Sequence, residues 1–151
     1  MTIDRFSGTY RWLSNFWPCT VTLDGEEYRS VEHAYQAAKT LDPEERLEFR
    51  RPDTTAAIAK QLGRHVTQRW DWPMARVAVM TQLTFQKFRD HPELGALLLA
   101  TGDEELVEGN TWGDHFWGVC EGQGTNHLGR ILMTVRHVLR QLPAKAEPEF
   151  T

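Results

Sequence analysis

Apolar positions recur at helical spacing in the last third of the chain. Leu128, Ile131, Leu132, Val135, Leu139 and Leu142 fall three, four or one residues apart, with Arg130, Arg136 and Arg140 between them. That pattern predicts a helix with one face in a core and its arginines outside. A second helix is expected over "VEHAYQAAKTL", with Ser30 as its N-cap and Glu32 at the positive end of its dipole. Val31, Ala34, Tyr35, Ala38 and Leu41 would face the core. Asp53, Thr54 and Thr55 can cap "AAIAKQL", which Gly63 stops. A longer helix starts near Asp71, with Pro73 in its first turn, and runs to about Arg89. Its expected stripe is Met74, Val77, Ala78, Thr81, Phe85 and Phe88; Val79, Met80 and Leu83 are apolar off that stripe, so the helix is read as central and mostly buried. Pro92 opens a further short helix that Gly102 ends.

Residues 6–29 lack this period and read as short extended pieces. "CTVTLDGEEYRS" predicts a hairpin, because Asp24-Gly25 is a tight-turn pair between β-favouring residues. The expected fold class is mainly α (α+β): one domain over residues 1–142 with a small N-terminal antiparallel β portion, then a frayed tail over 143–151.

Composition narrows the function classes. The chain has 151 residues and a net charge of −4, which argues against broad, salt-driven wrapping of duplex nucleic acid but leaves room for a pocket that reads one nucleotide. No apolar run reaches membrane-spanning length and the N-terminus lacks the pattern of a signal peptide, so cytosol is the default. Cys19 and Cys120 are expected reduced and packed, and no Cys/His cluster suggests a metal, so neither a metal nor a cofactor is expected.

Three stretches could carry chemistry. Glu32, Gln36 and Lys39 form a polar stripe at i, i+4 and i+7. It is either a solvated face or, in a helix this short beside an aromatic-rich segment, a face wedged inside the domain. There an acid and an amine are costly unless paired or functional. "GQGTNHLGRILM" puts Gly122 and Gly124 before a helix that Thr125 or Asn126 would cap, which is either an ordinary flexible loop or a phosphate cradle of backbone amides. "EGNTWGDHFWG" interleaves rings with charge. Trp117 and the Trp12/Phe16 segment could sandwich a flat heterocycle, with Glu108 and Asp114 as carboxylates at its rim.

Taken together, "YRWLSNFWPC", "SVEHAYQAAK", "DW" before a helix, "KFRDHPELGALLLATGDEELVEGN" and "DHFWGVCEGQGTNHLGRILM" occur in the order found in the NADAR, or YbiA-like, family, over roughly residues 6–142. The resemblance implies a compact, mostly helical fold and a metal-free N-glycosidase that cleaves between a ribose C1 and a nitrogen. Two substrate classes go with it: ADP-ribose on guanine in DNA, removed as repair or as antitoxin to an ADP-ribosyltransferase toxin, and phosphoribosylamino-pyrimidine intermediates of riboflavin synthesis.

Carried over by motif, Glu32, Lys39, Glu108, Asp114 and Trp117 match the polar and aromatic site positions, and Asn15, Phe16, Gly118, Gly124 and Asn126 the surrounding motif. Trp12, Gln36 and Gly122 join them as expected ligand contacts. Lys39 offers a Schiff-base route beside direct hydrolysis. The ADP-ribosyl-guanine substrate is preferred because "YRWLSNF" and the tryptophan loop suit an extended ligand. A module that binds ADP-ribose without cleaving it is the non-enzymatic alternative.

Overall fold

The computed structural model describes residues 1–143, so the tail expected over 143–151 lies, apart from Pro143, outside the described residues. After a two-residue strand β1 (Thr2–Ile3), the chain makes 3-10 turns over Gly8–Leu13. It then forms the hairpin of β2 (Val21–Leu23) and β3 (Glu26–Tyr28). Asp24 and Gly25 occupy the turn at φ 50° and 82°, the left-handed pair that such a turn requires. Six helices follow: α1 (Val31–Ala38), α2 (Pro43–Glu48), α3 (Ala56–Leu62), α4 (Trp72–Asp90), α5 (Pro92–Ala100) and α6 (His127–Gln141). Between α5 and α6 lie β4 (Glu105–Leu106), β5 (Gly109–Asn110) and β6 (Val119–Cys120). β4 pairs parallel to β1, and β5 parallel to β6.

The mainly helical class and the N-terminal antiparallel pair agree with the sequence reading. The 3-10 turns replace one of the expected extended pieces, and the two parallel pairs and α2 were not foreseen. They are too short for any periodic signal.

α4 is the central helix and packs against α1, α5, α6 and the hairpin strand β2. Its buried residues are Trp72, Met80, Leu83, Thr84, Lys87 and Phe88. The expected stripe is therefore corrected: Met74 is 72% exposed, and Val77, Thr81 and Phe85 are half-buried. Thr84 and Lys87 lie on the face that the core covers, and their polarity hid that face from a count of apolar residues.

α6 buries Leu128, Ile131, Leu132 and Val135, each contributing roughly 1.5–3 kcal/mol. Arg136 joins them instead of facing water, because it donates to Thr101 Oγ1 and the Glu104 carbonyl, each at 2.8 Å. Those bonds offset the desolvation of its charge. Leu142 is exposed. α1 ends at Ala38, and Leu41 is exposed because Asp42 precedes Pro43 and takes an extended conformation. Both cysteines are free and buried. Among the described residues no helix is long and apolar enough to cross a membrane.

Candidate active site

α1 determines the site. All eight of its residues are buried, including Glu32, His33 and Gln36, so the polar stripe is wedged inside the domain. Ser30 caps the helix by accepting from the His33 amide, and His33 Nε2 contacts the Thr54 carbonyl at 2.6 Å, tying α1 to the segment that opens α3. At its other end Gly63 lies against the Gln36 amide so closely that a β-carbon there would overlap Gln36 Oε1.

The other face of α1 opens on a cavity of about 890 Å³. Three helices each turn one face to it: Glu32, Tyr35, Gln36 and Lys39 from α1, Ala57, Lys60, Gln61 and Arg64 from α3, and Trp72, Arg76 and Met80 from α4. The spacing within each set is one, three or four residues, one helical face. Asn15 and Phe16 line the rim, with Glu108, Asp114 and Trp117 from the β5–β6 region. The structure thus brings Asn15, Phe16, Glu32, Gln36, Lys39, Glu108, Asp114 and Trp117 to one cavity.

Trp12, Gly118, Gly122, Gly124 and Asn126 do not line it. Trp12 is buried in the core, with the Tyr10 and Phe88 rings at 6.5 and 6.2 Å, so it cannot form the expected sandwich. The phosphate cradle is also corrected, because the amides at the start of α6 are already used. Thr125, Asn126, His127 and Leu128 donate to the carbonyls of His115, Gly118, Phe116 and Trp117. Gly118 and Gly124 serve close backbone packing: a β-carbon on Gly118 would meet the Glu108 carbonyl, and one on Gly124 the Gly118 carbonyl. Gly122 sits at φ 76° in a turn. Asn126 makes no cap. Its Oδ1 accepts from the Glu108 amide at 3.0 Å and its Nδ2 donates to the Leu106 carbonyl at 2.9 Å, which fixes the backbone that carries Glu108.

The electrostatics follow from burial and crowding. Burial, then the charges of Asp114 and Glu32, push the Glu108 carboxyl up to about 8. Burial also raises Glu32, against the hydrogen bond that Gln36 Nε2 donates to its Oε1 at 2.8 Å and against the charges of Lys60 and Lys39. The Lys39 amine is lowered, first by burial and then by Arg64 and Lys60, with Glu32 opposing. Three polar atoms of this cavity are buried with no hydrogen-bond partner: Gln36 Oε1, Arg76 Nε and Glu108 Oε2. Unpaired buried polar atoms are costly, and all three belong to side chains that line the cavity. Among the described residues no group of three metal-ligating side chains converges.

Asp114 has a structural share. Its Oδ1 accepts from the Phe116 and Trp117 amides at 3.1 and 2.9 Å, and Asn110 clasps its backbone through bonds at 2.9 and 3.0 Å. Trp117 meets the Tyr35 ring edge-on at 5.5 Å and the Phe116 ring at 4.8 Å. Trp117→Ala is therefore expected to cost about 3 kcal/mol of stability and to weaken ADP-ribose binding about tenfold. Trp117→Phe should recover most of the stability. Thermal melts and calorimetric titration check both, and an alanine variant that melts like wild type would remove the packing role.

Sequence reasoning missed Lys60, Arg64, Arg76 and Lys87. Ala57, Lys60, Gln61 and Arg64 share the i, i+3, i+4, i+7 spacing of the α1 stripe, a signal that was available. Lys87 carried none. It is fully buried, burial lowers its amine to about 8, and it donates to the Ser14 carbonyl at 2.8 Å, pinning the segment that presents Asn15 and Phe16.

The chain's similarities agree with this geometry. A NADAR domain profile matches residues 4–140. The chain is 38% identical over 144 residues to the N-glycosidase YbiA of Escherichia coli, covering 91% of this chain and 89% of that one. It is 43% identical over 132 residues to a riboflavin biosynthesis protein of Vibrio vulnificus, covering 85% of this chain but only 35% of that longer protein. The NMR structure of the E. coli protein YbiA superposes with a TM-score of 0.80 at 36% identity, over 93% of this chain and 84% of that one. The chain belongs to the NADAR domain family, the family of the YbiA-like N-glycosidases.

Proposed function

We propose that the protein hydrolyses the bond between a ribose C1 and the exocyclic nitrogen of a flat heterocycle, and that ADP-ribose on guanine is its preferred substrate. The observation that carries this reading is the meeting of a lowered amine, Lys39, with two raised carboxyls, Glu32 and Glu108, in one cavity. A carboxyl still protonated at neutral pH is a general acid, and a desolvated amine is a nucleophile.

The steps balance as follows. The ribose ring opens as the C1–O4′ bond breaks, O4′ takes the proton of the Glu32 carboxyl, which burial raises, and a C1=N iminium forms to the heterocycle nitrogen. The Lys39 amine adds to C1. The heterocycle leaves as a neutral amine after Glu108 supplies its proton, and C1 remains joined to Lys39 as a Schiff base. Water then adds to C1, the C1–Lys39 bond breaks, and the sugar departs as an aldehyde that closes to ribose. Glu32, hydrogen-bonded to Gln36, balances the cationic intermediates.

Cavity volume favours the larger substrate. About 890 Å³ lies near the upper end of the range for ligand sites, roughly 300–1,000 Å³, more than one ribose phosphate and a pyrimidine fill. The riboflavin reading is kept because the Vibrio vulnificus relative and a chloroplastic maize relative, 35% identical over 153 residues, carry riboflavin biosynthesis names. The test offers an oligonucleotide ADP-ribosylated on guanine and a phosphoribosylamino-pyrimidine, with EDTA in the buffer and no cofactor added. Chromatography should show free ADP-ribose, with kcat/KM at least about tenfold above that for the pyrimidine. The reverse order selects the riboflavin substrate. Binding of ADP-ribose with no product from either would make the protein a binding module.

A further inference from the structure

With the amides of residues 125–128 consumed internally, an anionic ligand group needs another partner, and Arg76 lines the cavity. Arg76 lies on α4 one turn beyond Trp72 and one before Met80, and all three line the cavity. Its guanidinium carbon stands 3.6 Å from the centre of the Phe116 ring. That stack covers one flat face, so hydrogen bonding is left to the edge. On that edge Nε is buried and has no hydrogen-bond partner.

Of the other lining cations, Arg5 pairs with Asp4 at 3.8 Å, while Lys60 and Arg64 act on the reacting groups. Lys60 stands over the Trp112 ring at 5.2 Å, and its charge acts on Glu32, Lys39 and Glu108. Arg64 acts on Lys39. Arg76 acts on Tyr35, which also feels Glu32 and Asp114.

We propose that Arg76 is the anion subsite of this cavity, donating from the accessible end of its guanidinium to a phosphate oxygen of a ribose phosphate or diphosphate ligand. A planar guanidinium held rigidly by a ring matches the geometry of a phosphate, which accepts two parallel N–H bonds. The Phe116 stack fixes the fork before the ligand arrives, so little side-chain freedom is lost on binding. Placing the anion here sets the direction in which the ligand lies: phosphate toward Arg76 and Phe116, C1 toward Lys39 and the glutamates. The inference rests on the reading of the cavity as a ribosyl-ligand site, but it is tested by binding alone, without chemistry.

Calorimetry should measure ribose, ribose 5-phosphate and ADP-ribose against wild type, Arg76→Gln, Arg76→Lys and Arg64→Gln. Wild type is expected to prefer the phosphorylated ligands to ribose by at least about tenfold, the scale of one charge-assisted bond. Arg76→Gln should lose that preference while still binding ribose as wild type does, and Arg76→Lys should keep part of it. A monophosphate source predicts equal preference for ribose 5-phosphate and ADP-ribose, and a diphosphate source a larger one for ADP-ribose. In the intact wild-type protein, the Arg76 Nε–H resonance should shift on addition of ribose 5-phosphate and stay in place with ribose, which holds the test open if a variant misfolds. The proposal is overturned if Arg76→Gln keeps the preference, if Arg64→Gln is the variant that loses it, if wild type shows none, or if the Nε–H signal does not move. Failure of the glycosidase reading shows separately, as absence of product from either substrate.

Discussion

Glu108→Gln lowers single-turnover rate at pH 7 by at least about a hundredfold and removes the alkaline limb of the rate profile, the loss expected of a general acid. The wild-type carboxyl is pushed up to about 8, so it is protonated at neutral pH and the rate should fall as pH rises through about 8. Stability carries the same signature. A carboxyl raised from its ordinary 4.5 to about 8 binds its proton in the folded state where the unfolded chain has released it. Between those two values the folded state binds more protons, so wild-type stability declines as pH climbs through that window. Glutamine keeps the shape and removes the charge, so the melting temperature of Glu108→Gln should fall less steeply over the same range. An inactive variant that is also the more stable one above pH 8 is what a site strained for function predicts. A variant with near wild-type rate and an intact alkaline limb would remove Glu108 from the acid role.

Lys39→Arg is expected to be the most damaging conservative change, lowering turnover by about a thousandfold or more with little change in melting. Arginine keeps a positive charge beside Glu32 but cannot be deprotonated to attack C1. A charge-stabilising role for Lys39 predicts instead that the arginine variant retains activity within about tenfold. Comparison with Lys39→Ala separates the two: a nucleophile makes both variants equally inactive, whereas an electrostatic role ranks arginine well above alanine.

What the sequence made legible was whatever repeated at a helical period or sat in a motif. The stripe of Glu32, Gln36 and Lys39 on α1 was readable because its spacing is regular and its other face is apolar, and it lines the cavity as a wedge in the domain. The hairpin was readable from Asp24-Gly25. Illegible were the residues whose burial depends on a distant partner. Arg136 reads as solvent-facing until Thr101 and Glu104 appear beside it, and Lys87 until Ser14 does.

The phosphate cradle went wrong for a related reason. A glycine-rich turn before a helix exposes amides only if no other segment claims them, and here the carbonyls of residues 115–118 do. Arg76 was hidden by the same kind of ignorance, because its importance lies in the Phe116 stack and an unpaired Nε, neither of which has a sequence period.

The most direct measurement is reductive trapping during turnover. Sodium borohydride added to the protein with an oligonucleotide ADP-ribosylated on guanine should reduce a Schiff base to a stable amine. Peptide mass spectrometry should then place the ADP-ribosyl adduct on Lys39, with no adduct in Lys39→Arg. Full turnover with no trapped adduct on any lysine, together with an active Lys39→Arg, would contradict the assignment of Lys39 as the group that attacks ribose C1.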